Sequence, residues 1–133
     1  MGVIQFRQPT YAVHFYVDGG IDVVRQWFDE KPAALSAFMA LLDIFEAGGI
    51  GTIQSCVVEI EDGLFGLKVA QQSGETPCPI FCLGPFDQET EITFLAPGRW
   101  DQKQKCVRPY SAAGEAKENL ELLLQDRARR RRG

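Results

Sequence analysis

The sequence lacks the features of a membrane-spanning or exported protein. No apolar run approaches the roughly 18 residues that a membrane helix needs, and the first segment, MGVIQFRQPT, has no basic region followed by an apolar stretch. We therefore expect a cytoplasmic protein with no membrane partner. Internal repeats and linker-like segments are also missing, so we expect one domain over residues 1–126, followed by an arginine-rich C-terminal tail at residues 127–133.

Residue types that bind metals are few and scattered. The single histidine, His14, lies in the apolar segment YAVHFYV, where a hydrogen-bonded strand residue is the expected role. The four cysteines stand at positions 56, 78, 82 and 106, and only Cys78 and Cys82 are close together, in a spacing typical of neither a zinc ribbon nor a redox motif. The sequence therefore indicates no metal and no cofactor, and reduced thiols fit a cytoplasmic location.

Positive charge is scarce outside the C-terminal tail. The formal net charge is −4, but five of the 14 basic residues lie in residues 127–132, which leaves 9 basic against all 18 acidic residues in residues 1–126, or −9. Such a body repels polyanions at long range, which argues against a general nucleic-acid binder. The tail RARRRRG is typical of a solvated, mobile end, with a contact element as the alternative.

The apolar residues mark a clear order of strands and helices. Residues 3–17 indicate a strand interrupted at Pro9, and residues 21–47 carry apolar stripes at helical spacing, with Pro32 at the start of a second helix. Because few residues join the two helices, we expect them to pack as an antiparallel hairpin. Asp62 and Gly63 between VVEI and LFGLKV are typical of a tight β-hairpin.

The second half of the chain continues this order. The segments PIFCL and EITFL are strand candidates that would extend an antiparallel meander, residues 97–110 have no apolar period, and a final helix is predicted from about Ser111. The sequence thus predicts an α+β domain, in which a helical hairpin and a C-terminal helix pack on one face of a small antiparallel sheet.

Three segments resemble the RelE/HigB/ParE superfamily of bacterial toxins, especially its phage-derived HigB-like branch. VVRQWFDEKPAALSAFMALLDIFEAGG is similar to the helical hairpin of that family, DGLFGLKV to its "dGLyElR" hairpin, and EITFLAPGRWDQKQK to its strand and lysine-rich loop. The layout agrees over roughly residues 12–125. The resemblance implies a RelE-like fold and the toxin of a type II toxin–antitoxin system, a ribosome-associated, metal-independent mRNA endonuclease that a cognate antitoxin neutralises.

The implied reaction is attack of an RNA 2′-hydroxyl on the neighbouring phosphorus, which needs a base, an acid and cations around the phosphoryl oxygens. The resemblance implies lysine, arginine and tyrosine side chains on the sheet face that the helices leave open. By alternation Lys68 lies on the polar side of its strand, and residues 99–108 carry a net charge of +3. The catalytic candidates are Lys68, Arg99, Lys103, Lys105 and Tyr110, and the RNA-binding candidates are Trp100, Arg108, Arg129 and Arg130.

The sequence also departs from this family. PCPIFCLG has no arginine where the family writes "yRvfy", Gly66 stands where a glutamate is usual, and the body is acidic where the toxins are generally basic. Two alternatives therefore remain open, a non-catalytic interaction module on the same fold and a ParE-like gyrase inhibitor that binds a protein partner. For Lys68 and the charged loop, a solvent-facing role without function is open as well.

Overall fold

A computed structural model describes residues 11–71 and 74–133. Its helices and strands follow one another as β1 (Ala12–Asp18), β2 (Ile21–Asp22), α1 (Val23–Phe28), α2 (Pro32–Gly48), β3 (Val57–Glu61), β4 (Leu64–Leu67), β5 (Thr76–Pro77), β6 (Ile80–Leu83), β7 (Glu91–Ala96), β8 (Arg99–Asp101), β9 (Cys106–Arg108), α3 (Ala112–Gln125) and β10 (Arg130–Arg132). Short 3₁₀ turns lie at Ile50–Thr52, Gln54–Cys56 and Arg127–Arg129. The strand expected before Pro9 lies outside the described residues.

Local sequence signals place most of these elements. The β3–β4 hairpin turns at Asp62 and Gly63, where Gly63 has a φ of 81° that suits glycine, as predicted. Pro32 is the first residue of α2, and Gly49 ends that helix with a φ of 84°. The two helices predicted within residues 21–47 and the final helix after Ser111 are confirmed. No helix in the described ranges is long and apolar enough to cross a lipid bilayer.

The large sheet has the strand order β10-β1-β7-β6-β4-β3, with β2 pairing to the end of β1. Strands β3, β4, β6 and β7 form the expected antiparallel meander, but β1 runs parallel to β7, in the register Val13 to Ile92. The expected small antiparallel sheet is therefore present as one part of a larger, mixed sheet. A parallel pair needs a long crossover, and helices α1 and α2 with the meander supply it.

Helices cover both faces of this sheet. On one face, Phe15, Phe81 and Phe94 pack with α1 and α2, and Phe28 and Phe38 stack there with ring centroids 4.7 Å apart. The opposite face carries a second apolar cluster, in which the strands pack against α3. The expectation that all helices pack on one face is wrong, because the strands alternate apolar side chains to both sides. The cluster under α3 comprises Tyr16, Leu64, Cys78, Ile80, Cys82, Leu95, Ala96, Val107, Ala112, Ala116 and Leu123.

Residues 97–110 form structure that the sequence did not predict. Strands β8 and β9 make a hairpin that pairs with β5 in a separate three-stranded sheet. Strands β8 and β9 have three residues each, which is too short to show an apolar period. The carboxylate of Asp101 accepts the backbone N–H groups of Lys103 and Gln104, both at 3.0 Å, which fixes the turn.

Candidate functional site

The hairpin of β8 and β9 gathers most of the candidate residues. Arg99 and Trp100 lie on β8, and Arg108 lies on β9. The lysine candidates Lys103 and Lys105 lie in the exposed turn between these two strands. Tyr110 follows two residues after β9 and is 68% exposed. The structure thus brings these six candidates together on one projecting element.

Lys68 joins this group from the large sheet. It follows β4 directly, its backbone N–H donates to the Cys56 carbonyl at 2.8 Å, and its Nζ lies 5.2 Å from the centroid of the Trp100 ring. A cation at this distance from an indole ring is held by the negative face of the ring. Lys68 is therefore half-buried beside an aromatic side chain, rather than extended into solvent.

Gly66, next to Lys68 on the same side of the strand, is explained by packing. A Cβ atom at this position would lie 2.5 Å from Cys78 Sγ and 3.2 Å from Val58 Cγ2. The space that a glutamate would need is therefore filled. Burial raises the pKa of Cys78 to about 12, against the opposing effect of the Lys68 charge, so this cysteine is a protonated packing residue and not a nucleophile.

A groove of about 240 Å³ separates the hairpin from the edge of the large sheet and the first turn of α3. Trp100, Lys105 and Tyr110 line it, together with Glu59 and Ile60 of β3. The guanidinium carbon of Arg108 lies 3.8 Å from the centroid of the Tyr110 ring, which holds the exposed phenol in place. The groove therefore offers aromatic surface and one lysine ammonium, with the glutamate on its far wall.

Carboxylates neutralise part of the hairpin charge. Arg99 and Arg108 are directly opposite in the β8–β9 register, an unfavourable like-charge pair, and each has an acidic partner. Arg99 lies 3.3 Å from Glu75, and Arg108 lies 3.1 Å from Asp101. The backbone N–H of Gln104, with the Arg108 guanidinium, lowers the pKa of Asp101.

The two turn lysines differ from these arginines. Within residues 11–71 and 74–133, neither Lys103 nor Lys105 has an ion-pair partner, and both side chains are exposed. The same part of the chain holds no group of three or more His, Cys, Asp or Glu side chains that would bind a metal ion. The site therefore offers two unpaired ammonium groups, a phenol and an indole as its chemical groups.

Arg129 and Arg130 lie elsewhere, at the edge of the large sheet. Residues 130–132 form β10, which pairs antiparallel with β1 and matches Tyr16 to Arg130. Arg129 donates to the Tyr16 hydroxyl at 3.3 Å, while Arg130 donates to Glu91 at 2.8 Å and lies over the Phe86 ring at 4.6 Å. The tail is thus an edge strand and not a solvated end, and these two arginines are separate from the hairpin groove.

Glu91 is the centre of this edge cluster, and sequence reasoning missed it. One of its oxygens accepts the N–H groups of Phe86 and Asp87 as well as Arg130, and the other lies 3.0 Å from His14 Nε2. Burial opposes ionisation of Glu91, but the Arg130 hydrogen bond and the other donors outweigh it, so its pKa lies below the ordinary value. The sequence did contain one signal for this role, since Glu91 is a carboxylate at the start of the apolar segment EITFL.

The pKa of His14 lies below its ordinary value. Burial of the imidazole is the main cause, and the charge of Arg130 acts in the same direction. The imidazole is therefore a neutral hydrogen-bond donor to Glu91 at neutral pH. This agrees with the role of a bonded strand residue expected from the sequence.

Comparison of the chain with models of known protein families gives no match, and comparison with curated protein sequences gives none either.

Proposed function

We propose that the protein is an RNA-binding toxin of the RelE/HigB kind, and that single-stranded RNA lies in the groove beside the β8–β9 hairpin. The observation that supports this most directly is the exposed Tyr110 ring, which stacks on Arg108 and lines the same groove as Trp100 and Lys105. Unstacked bases bind to aromatic side chains, and lysine ammonium groups contact the phosphates between them.

The proposed reaction is cleavage of the bound RNA. The 2′-oxygen forms a bond to the neighbouring phosphorus as it loses its proton, and the bond from phosphorus to the 5′-oxygen breaks as that oxygen gains a proton. Tyr110 and Glu59 both line the groove and can exchange a proton, and Lys105, which also lines it, stabilises the charge that develops on the phosphoryl oxygens. Lys103 on the same turn and Lys68, whose Nζ lies 5.2 Å from the centroid of the Trp100 ring, add positive charge beside the groove.

A second function, RNA-independent binding of a protein partner, is favoured by two observations. Arg99 and Arg108 are already paired with Glu75 and Asp101, and the two sheet faces are covered by helices. A module of this kind would use the hairpin without cleaving RNA. This is the non-catalytic module or gyrase inhibitor that the sequence left open.

The experiment that tests the RNA proposal measures growth and mRNA integrity on induced expression, and binding of a labelled single-stranded RNA to the purified protein. Tyr110→Ala should reduce RNA binding about tenfold or more, since base–aromatic stacking contributes about 1–3 kcal/mol. Lys105→Ala should also weaken binding, because it removes a contact to a phosphate. Lys117→Ala is the matched control, because this exposed lysine of α3 pairs with Glu61 and does not line the groove. Intact mRNA, unimpaired growth and no RNA binding by the wild-type chain would leave the protein-binding function in its place.

A further inference from the structure

A second cavity lies on the other side of the β8–β9 hairpin. It has a volume of about 330 Å³, and its walls come from the α1–α2 corner, the hairpin and the start of α3. The residues that line this cavity and those that line the groove of Trp100 and Tyr110 do not overlap. The two cavities meet at one ridge, because Arg108 lines the second cavity while it stacks on Tyr110 of the first.

The lining of this second cavity combines the groups that recognise a nucleotide. Trp27 provides an indole ring, and Pro109 adds an apolar wall. Lys31 Nζ lies over one face of this ring, 4.1 Å from its centroid, and donates to the Trp27 carbonyl at 2.9 Å, which leaves the other face for a base.

Lys31, Arg99 and Arg108 supply positive charge, and Glu75 and Glu115 supply carboxylates. Glu75 lies 3.3 Å from Arg99, whereas Glu115 has no ion-pair partner among the described residues. An aromatic ring suits a base, the cations suit a phosphate, and a carboxylate accepts hydrogen bonds from amino and imino groups on a base edge.

The guanidinium of Arg108 has donors left for a ligand. Its Nε is 3.1 Å from Asp101, whereas in the described part of the chain its two terminal nitrogens donate to no protein acceptor. Arg108 lines the second cavity and stacks on Tyr110 of the first, so its guanidinium is within reach of both. A phosphate bound there would join a base in one cavity to a base in the other.

The cavities favour an extended ligand over a single nucleotide. The second cavity continues into a third cavity of about 260 Å³. These two cavities share the lining residues Trp27, Lys31 and Glu75. A free nucleotide would occupy one of these spaces, whereas a strand follows all of them over the hairpin. Successive stacking platforms beside positive charge are the usual design of single-strand binding surfaces.

We propose that this cavity is a second nucleotide subsite, which binds the base next to the one held at Tyr110 and prefers guanine. Guanine presents adjacent N1–H and N2–H₂ donors that match the Glu115 carboxylate, while uracil would turn a carbonyl oxygen toward it. This inference rests on the proposed RNA-binding function. Trp27 supports the base, and Arg108 and Lys31 hold the phosphates on either side.

The test compares binding of short and long 2′-O-methyl RNA, which cannot be cleaved because the attacking hydroxyl is blocked. The probes are a uridine mononucleotide and hexanucleotides of uridine with and without guanosines, titrated against the wild-type protein by fluorescence anisotropy. Trp27→Leu and Lys31→Gln should each weaken the hexanucleotide about tenfold and leave the mononucleotide unchanged, because only the longer RNA occupies both cavities at once. Because Trp27 is partly buried, a loss of binding in Trp27→Leu can also come from a folding defect. Lys31→Gln tests the same cavity without removing an aromatic side chain.

Glu115→Gln should remove the preference for guanosine-containing hexanucleotides, and Glu118→Gln, an exposed control on the same helix, should keep it. If both lengths depend on Tyr110 but neither depends on Trp27 or Lys31, the second subsite is wrong and the proposed function stands. If the wild-type protein binds none of these RNAs, the proposed function itself is wrong.

Discussion

The β8–β9 hairpin and strand β10 are both rich in basic residues, yet the fold uses their charges in opposite ways. The Arg130 side chain is 12% exposed and contacts Glu91, whose side chain is 9% exposed, whereas Lys103 and Lys105 project from a turn. Arg131 likewise reaches Asp22, the residue that caps α1. A basic run is structural where buried carboxylates lie beside it, and remains available to a ligand where they do not.

Deletion of residues 127–133 should give the largest change in stability. It removes the pairing of β10 with β1 and leaves Glu91 without its arginine partner, which should cost about 4 kcal/mol of unfolding free energy. Urea unfolding followed by circular dichroism measures this. Arg132→Gln is the control, since that side chain is exposed. An unchanged unfolding midpoint for the deletion would show that β10 does not stabilise the sheet.

Glu91→Gln should have a smaller but clear effect, about 2 kcal/mol, because a neutral amide keeps the shape but weakens hydrogen bonds that now involve a charged acceptor. Glu89→Gln on the neighbouring exposed loop should change little. Thermal and urea unfolding of the two variants side by side provide the measurement. If the two variants are equally stable, the Glu91 carboxylate does not stabilise the edge cluster.

His14 should make the stability of the wild-type protein depend on pH. Burial and Arg130 lower its pKa below 6.5, so below that pH the unfolded chain binds a proton more readily than the folded protein. Stability contributed by the neutral imidazole is therefore full above about pH 6.5 and declines as the pH falls further. His14→Gln should flatten this decline in urea titrations between about pH 5 and pH 8. An identical pH profile for the variant would contradict the assignment.

Replacing both turn lysines, Lys103→Ala with Lys105→Ala, should change stability least, by less than about 0.5 kcal/mol, since neither side chain contacts a carboxylate in the described ranges. The same variant should lose toxicity and RNA cleavage, because these ammonium groups act on the phosphate in the proposed reaction. Unfolding curves and mRNA analysis of one preparation separate the two effects. A large loss of stability in the double lysine variant would show that the turn lysines, like the arginines of β10, stabilise the fold.

Local signals in the sequence were sufficient for the elements that they define. Asp62 with Gly63, Pro32 and the apolar stripe of α3 act over a few residues, and the structure has the turn and helices where they indicate. Trp100, Arg108 and the turn lysines were selected from one charged segment and lie together on the hairpin, while Lys68, selected from a strand, lies with its Nζ 5.2 Å from the centroid of the Trp100 ring.

Long-range contacts were beyond these signals. The parallel pairing of β1 with β7, the position of α3 on the opposite face and the docking of Arg130 on Glu91 each join residues far apart in sequence. A run of arginines has the same composition whether it is solvated or paired. Trp27 and Lys31 lie within the segment 21–47, for which the sequence indicated only helices, and only the folded chain places them in a cavity with Arg108.

The position of β1 between β7 and β10 has a consequence for how the chain folds during synthesis. Strand β1 is synthesised before both of these neighbours, one of which begins at Glu91 and the other at Arg130. The β3–β4 hairpin and α2 depend on nearby residues and can form early, whereas β1 pairs with β7 only after more than 70 further residues have been added. Until β7 has been synthesised, the apolar side chains Val13 and Phe15 of β1 have no neighbouring strand of the large sheet to pack beside.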